Sequence, residues 1–482
     1  MRLRSNFGVR RVSLLAVLFL FAPEPARPQS STISSPGQAI PGTLGTNPFA
    51  SSAPAKPTPG TISISLQEAI DRGLQQNLGL LLSNAEIGNA RGQRWEQLSA
   101  LLPQVTADPH IEESKINLKE LGISISVPGL TLPAAVGPFS YFDARLSVQQ
   151  SLFNWKSIEN SRAAAQNVKS AAYTYKDARD LVVLAVGYTY LQAIANEARI
   201  DTAEAQVKTA QALFDQASDQ VTAGTSPAID ALRAKVELQT RQQQLIQARN
   251  NLAIEKLTVA RVIGLAPGQE FELSDKSLYS PFEGISVEEA LKRAYASRAD
   301  YQSAESDVRA AEFVRKAATA GYFPSLSFSA DYGTGGAHPS SASTVYDVRG
   351  TLSIPIFTGG SVHGDVLSAN ARLAQSRQRL DSLRAQIDAD VRTALLNLQS
   401  SAEEVNVARS NIDLAEQTLT QSRDRFAAGV ADTVEVVQSQ EAVASAHEQY
   451  ISSLYNFNSA KISLARAIGG AQDVVKQYFR GK

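Results

Sequence analysis

The 482-residue chain contains no cysteine, which removes disulfides, thiolate nucleophiles and Cys-ligated metals. It has four histidines, His110, His338, His363 and His447, and none has a partner at metal-ligand spacing. It also has no surplus of charge: 46 basic against 47 acidic residues leave a formal −1, so no general attraction to nucleic acid is expected. Long apolar runs are missing too. Nothing after Phe21 reaches the roughly 18 apolar residues of a membrane-spanning helix. A membrane β-barrel stays open, because its strands need only about 10 alternating residues. The glycine-rich GTGGA (Gly333–Ala337) and FTGG (Phe357–Gly360) match neither a P-loop nor a dinucleotide fingerprint. Ser226 has no His and acid beside it, and Asp388/Asp390 and Glu403/Glu404 read as helix surface rather than a glycosidase pair. The sequence therefore predicts no enzyme, no cofactor and no metal centre.

What is present begins with an export signal. Arg2, Arg4, Arg10 and Arg11 precede the ten-residue apolar core Val12–Phe21, and APEPARPQS follows with small and helix-breaking residues. Residues 1–26 read as a signal peptide, cleaved near Ala22–Ala26, with an uncleaved anchor as the rival. No Cys follows the core, which excludes a diacylated lipoprotein. Residues 27–61 are rich in Ser, Pro, Gly and Ala, and that composition predicts a flexible lead-in.

The remainder is written twice. ISLQEAI (Ile64–Ile70) and ISVEEAL (Ile285–Leu291) lie 221 positions apart, as do Leu102-Pro103 and Phe323-Pro324. Gly224 and Gly429 lie 205 apart, as do Gly264 and Gly469. The repeats span residues 62–265 and 285–469, with a linker at 266–284 and a charged tail at 470–482. Each repeat opens with a Ser that suits an N-cap, runs as a helix of about 35 residues, and stops at Pro103 or Pro324. These prolines mark a switch from helix to strand, because the apolar period then becomes two. Val105, Ala107 and Pro109 share one face, as do Leu326, Phe328 and Ala330, opposite Ser325, Ser327 and Ser329. Second strands are expected over Tyr141–Phe153 and Tyr346–Phe357, the latter carrying Leu352, Ile354 and Ile356. Phe139, Tyr141, Phe142, Trp155, Tyr322, Phe323, Tyr346 and Phe357 rim the strand ends, as aromatics do at membrane interfaces. A half-buried sheet in a soluble domain is the competing reading. Loops are expected at Ile111–Gly137 and Tyr332–Thr344.

Long helices follow, from about Lys156 to Val221 and from about Val362 to Ala427, each a rod of roughly 100 Å. Apolar residues recur every seven positions at Val391, Leu398, Val405, Ile412, Leu419 and Phe426. The first repeat has Val186, Ala193, Ile200, Val207, Phe214 and Val221 in their places. A small-residue seam accompanies each: Ala203, Ala210 and Ala217, then Ala408, Ala415 and Ser422. Leu373, Leu380 and Ile387 run on another register, so a four-residue stutter falls near Ile387–Val391. Gly224 and Gly429 read as left-handed caps ending the two rods, and return helices follow over Pro227–Ile263 and Thr433–Ile468.

The order helix–strand–strand–long helix–turn–helix, repeated behind a signal peptide, together with FAAGVADTVEVVQSQ (Phe426–Gln440), resembles the TolC-type outer-membrane efflux protein family (outer membrane factors). The resemblance covers residues 62–469. It implies a mixed α/β membrane protein: a trimeric 12-stranded outer-membrane β-barrel, with four strands per protomer, continued by a long periplasmic α-helical coiled-coil barrel. It further implies a homotrimer in outer-membrane lipid that meets a periplasmic adaptor (membrane fusion) protein and an inner-membrane pump. The function implied is the passive exit duct of a tripartite efflux pump for small solutes. The alternatives are the outer-membrane component of a type I protein secretion system, or an exported coiled-coil scaffold without a pore. Matching turn to turn puts the periplasmic aperture at Glu435 and Gln438, with Asp230 as partner in the first hairpin and Phe426 at the family's aromatic position. Ala431 stands where the family can carry a latch arginine, so an obvious salt bridge is missing and apolar packing is expected to hold the closed state. The plainer reading of Glu435 is a solvated helix acid, and of Asp230 an exposed first-turn acid.

Overall fold

The computed structural model describes residues 48–57, 59–118, 120, 122, 126–127, 130–131, 135–275 and 284–479. The signal peptide, the lead-in up to residue 47, residues 276–283 of the linker and the last three residues of the tail lie outside them.

In chain order the elements are β1 (Ile62–Ile64), α1 (Leu66–Gln76), α2 (Leu78–Ser99), β2 (Gln104–Asn117), β3 (Ser126–Val127), β4 (Leu130–Thr131), β5 (Ala135–Phe153), α3 (Trp155–Thr222) and α4 (Ala228–Ile263). Then come β6 (Phe271–Leu273), α5 (Val287–Ser297), α6 (Ala299–Thr319), β7 (Ser325–Gly336), β8 (Ser343–Ser353), α7 (Ser361–Ala427), α8 (Thr433–Ile468) and α9 (Ala471–Phe479). The N-caps are as expected: Ser65 Oγ accepts from Glu68 N, and Ser286 Oγ accepts from Glu289 N, both at 3.2 Å.

The opening helix of each repeat is a pair rather than a single rod. The breaks fall at Asn77 and Arg298, which are 221 positions apart, and both residues have extended backbone. Asn77 caps α2 through its side chain, which accepts from Gly79 N at 2.9 Å. Arg298 has no capping oxygen; its guanidinium is buried on Asp300 (2.7 Å) and Asp390 (3.0 Å).

Antiparallel strands β2-β5-β7-β8 form one sheet in that order. The strands outrun the expected loops: β2 and β5 reach into Ile111–Gly137, and β7 and β8 shorten Tyr332–Thr344. β8 ends at Ser353, so Ile354 and Ile356 lie beyond it. Register separates the faces. Val105, Val148, Ala330 and Val348 align across the sheet, as do Ala107, Leu146, Tyr332 and Tyr346. The opposite face is more charged than the serine pattern suggested: Asp108 aligns with Arg145, and Ser147 with Asp331 and Asp347. Arg145 is 2.7 Å from Asp143 and 3.2 Å from Asp331. Tyr141, expected at the rim, donates to Asp143 on this polar face.

α3 and α7, of 68 and 67 residues, descend from the sheet and fold back as α4 and α8. Val391, Leu398, Val405, Leu419 and Phe426 are buried, as are Leu373, Leu380 and Ile387 of the other register, while Ile412 is only half-buried. In α3 Val186 and Ala193 of the heptad seam are buried, as are Ala203, Ala210 and Ala217 of the small seam, while Ile200, Val207, Phe214 and Val221 stay half-exposed. The hairpins touch where α3 crosses α8; there a Cβ on Gly187 would come within 2.5 Å of Ile462 Cδ1. Glycine is used here for closeness between helices.

Two ends that composition made peripheral are packed in. Residues of the lead-in form a strap: Ala53 N donates to Gln76 O, Leu78 N to Ser51 O, and Asn77 Nδ2 to Phe49 O. β1 pairs in parallel with β6 of the linker. The tail forms α9, with Ala471 and Val475 inside the main core beside Ile64, Ile70, Val182 and Ile462.

Candidate functional site

The ends of the two hairpins carry the residues singled out above. Gly224 and Gly429 both have φ 72°, a left-handed geometry that an L side chain adopts at a cost. Each closes its rod with the same pair of bonds. Gly224 N donates to Val221 O and Thr225 N to Gln220 O; Gly429 N donates to Phe426 O and Val430 N to Arg425 O. Carbonyls left open at a helix end are satisfied in this way.

Beyond the turns the hairpins differ. Asp230 and Glu435 occupy equivalent positions, 205 apart. Asp230 is 8% exposed, so it is not the exposed first-turn acid of the plainer reading. Ser226 Oγ donates to its Oδ2 at 2.8 Å, and Arg233 stands 3.7 Å from Oδ1. Glu435 is 38% exposed, and its Oε1 lies 3.2 Å from Arg425 Nε across the turn. A salt bridge was not expected here, because the family's latch position holds Ala431. It forms because the turn folds residue 425 back over the first turn of α8. Asp432 caps that helix, accepting from Glu435 N at 3.1 Å. Gln438 is exposed. Phe426 is buried in an apolar plug with Leu213, Ala217, Ala234, Leu419 and Val436, drawn from all four helices. Pro103 and Pro324 stand at the opposite end, each immediately before the first residue of β2 or β7.

Farther from the turns, ion pairs join one hairpin to the other. Arg199 of α3 contacts Glu448 of α8 with Nε at 2.9 Å and Nη2 at 2.8 Å, and this hydrogen bonding holds the Glu448 carboxyl below its usual pKa. Closer to the sheet than that pair, Arg466 of α8 reaches Asp177 of α3 (2.5 Å) and Asp300 of α6 (3.7 Å). Burial raises the pKa of Asp177, and also that of Asp180, which accepts from Ala471 N at 2.9 Å. Nothing in the local sequence signals these pairs, which join residues 249 and 289 positions apart. The tip partners, by contrast, lie within local reach: Arg233 three residues after Asp230 and Arg425 ten before Glu435.

Among the described residues no helix is long and apolar enough to cross a membrane, and no group of three or more His, Cys, Asp or Glu is arranged to hold a metal.

A family model described as outer membrane efflux protein matches residues 69–265 and 290–470. The chain is 22% identical over 423 residues to the toluene efflux pump outer membrane protein TtgF of Pseudomonas putida, covering 85% of this chain and 84% of that protein. It is 22% identical over 337 residues to the alkaline protease secretion protein AprF of Pseudomonas aeruginosa, covering 67% of this chain and 68% of that one. Its fold matches the crystal structure of the outer membrane protein VceC of Vibrio cholerae with a TM-score of 0.72 and 19% identity, over 84% of this chain and 96% of that one. The chain belongs to the outer membrane efflux protein family and serves as the outer-membrane duct of a tripartite transport system, with its long helices in the periplasm.

Proposed function

We propose that three copies close a single 12-stranded barrel and stack their helices into one periplasmic tube. The supporting observation is the sheet of four strands, apolar on one face and charged on the other, with β2 and β8 each bonded on one side only. In hydrocarbon each unpaired backbone group costs several kcal/mol, so an open sheet is not viable there and closure with further copies removes its edges. Native mass measurement of the detergent-purified protein should give three chains per particle. A stable monomer with full β content would refute this reading.

The transported class we propose is small solutes, delivered by an inner-membrane pump through a periplasmic adaptor. Relatives covering 84–85% of the chain are named for an efflux pump, for toluene efflux and for pyoverdine export, whereas the protease-secretion relative covers 67% of it. The scaffold without a pore is set aside by the family. At the far end, Asp230, Phe426, Glu435 and Gln438 form the aperture in this proposal. The apolar plug around Phe426 holds it closed, and Glu435 contributes one carboxylate per copy to a ring that favours cations. Gln438, neutral and one turn on, sets width rather than charge.

A further inference from the structure

Above the apolar plug, the two hairpins enclose a cleft of about 400 Å³, walled by α3 and α4 on one side and by α7 and α8 on the other. Gln440 of α8 lines it. This side chain is 6% exposed, and neither its Oε1 nor its Nε2 has a hydrogen-bond partner. Its position belongs to the packing stripe of α8, between Val436, fully buried, and Val443, half-buried against the plug. An aliphatic residue would fill that place at no polar cost, so an amide there calls for a chemical partner rather than a packing one.

The rest of the lining says which partner. Asp201 of α3 and Glu416 of α7 bring two carboxylates to the cleft, and Glu416 Oε1 lies 3.3 Å from His447 Nε2. The guanidinium of Arg241 is already engaged, donating to Glu237 and, at 3.0 Å, to Gln244 Oε1. Its charge is matched by Glu237, and the acids remain in excess. Leu419 and Val443 give the same cleft an apolar wall. A volume of this size is at the lower end of small-molecule sites, which are mainly apolar with a few placed polar groups.

We propose that this cleft binds a small organic cation, an ammonium group on an apolar body. The ammonium donates to Gln440 Oε1 and to the Asp201 and Glu416 carboxylates, and the body lies on Leu419 and Val443. An anion of the same shape is repelled by the two acids. A bound cation touches both hairpins and ties them together; that consequence rests on the proposed opening of the tip, but the binding does not.

The test uses the purified full chain in nanodiscs, with 2-phenylethylamine as probe and phenylacetate and 2-phenylethanol as controls. Binding is followed by saturation-transfer NMR and titration. The amine should bind saturably, and phenylacetate should not. Gln440→Leu and Glu416→Gln should each weaken the amine about 10-fold, the loss expected for one hydrogen bond or charge contact. Asp201→Asn, on an exposed position, gives the same readout should Gln440→Leu perturb folding. Equal affinity of wild type and all variants, equal binding of phenylacetate, or no saturable binding of the amine overturns the proposal. So does a Gln440→Leu protein whose oligomer falls apart while its amine affinity is unchanged, since the amide would then serve a neighbouring chain. The readout requires neither conduction nor a given number of chains, so its failure is distinct from failure of the duct reading.

Discussion

The two repeats share one plan and solve its local problems with different chemistry. At the helix break, Asn77 is neutral and fully buried, and it works by capping α2 and holding the strap through Phe49 O. Its mate Arg298 is a buried cation surrounded by Asp300, Asp390 and the carbonyl of Ala467. At the tip, Asp230 is buried and satisfied within its own helix start, whereas Glu435 is half-exposed and reaches across its turn to Arg425. Along the lower rods, α7 buries Val405, Leu419 and Phe426, whereas Ile200, Phe214 and Val221 at the matching positions of α3 stay half-exposed. One backbone plan therefore tolerates capping or ion pairing at the same position. What matters is that the polar groups of the break and the tip are satisfied, by whatever side chain is near.

The helix break offers the largest contrast. Arg298→Ala would leave the half-exposed Asp390 unpaired and Asp300 with only Arg466, 3.7 Å away, at a cost of about 3 kcal/mol. Asn77→Ala removes a cap and should cost about 1 kcal/mol. Thermal melts of both variants check this, and equal losses would mean that the ion pairs contribute nothing beyond a cap.

The plug should show the next largest difference. Phe426→Ala opens a cavity among four helices and should destabilise the tip by about 3–5 kcal/mol. Val221→Ala, its half-exposed mate, should cost about 1 kcal/mol or less. Hydrogen exchange of the turn amides reads both; matching protection in the two variants would show that the plug is not what closes the tip.

The proposed aperture gives the two acids different functions. Glu435→Gln should lower cation selectivity, measured as a reversal potential across a bilayer under a salt gradient, with little change in melting. Asp230→Asn should leave selectivity nearly unchanged, because Asp230 is buried beside Ser226 and Arg233. The reverse result would assign the charged ring to the first hairpin.

The smallest effect belongs to a pair of lysines 205 positions apart. Lys256 donates to Phe271 O at 3.2 Å and is half-buried, whereas Lys461 is 1% exposed over the Phe457 ring. Burial lowers the Lys461 pKa from 10.5 to about 8. Below pH 8 both folded and unfolded chains carry the proton, and the cost of the buried charge is fully present. Between about 8 and 10.5 the unfolded chain holds more protons, so stability rises with pH across that window. The melting-temperature gap between wild type and Lys461→Met should therefore shift in favour of wild type as pH rises from about 8 toward 10.5. A gap independent of pH would place the lysine's charge in solvent.

Sequence alone determined the duplication, the strand and helix types, the two glycine turns and the length of the rods. These rest on signals a few residues long: a proline after a helical period, a Ser at an N-cap, a glycine where φ must be positive. Only the tertiary structure decided the breaks at Asn77 and Arg298, since neither proline nor glycine stands there and the break at Arg298 is held by Asp390 from another helix. It also decided that residues 48–57 strap the first helix pair, although their composition resembles a free linker. It placed Asp230 inside, Glu435 on Arg425, and Asp108, Asp143, Arg145, Asp331 and Asp347 on one face of the sheet. The physical reason is range. Periodicity and capping are settled within one or two helical turns, whereas the charge on a buried residue is settled by whichever distant side chain the crossing of α3 and α8 brings within 3 Å, as with Arg466 and Asp177, 289 positions apart.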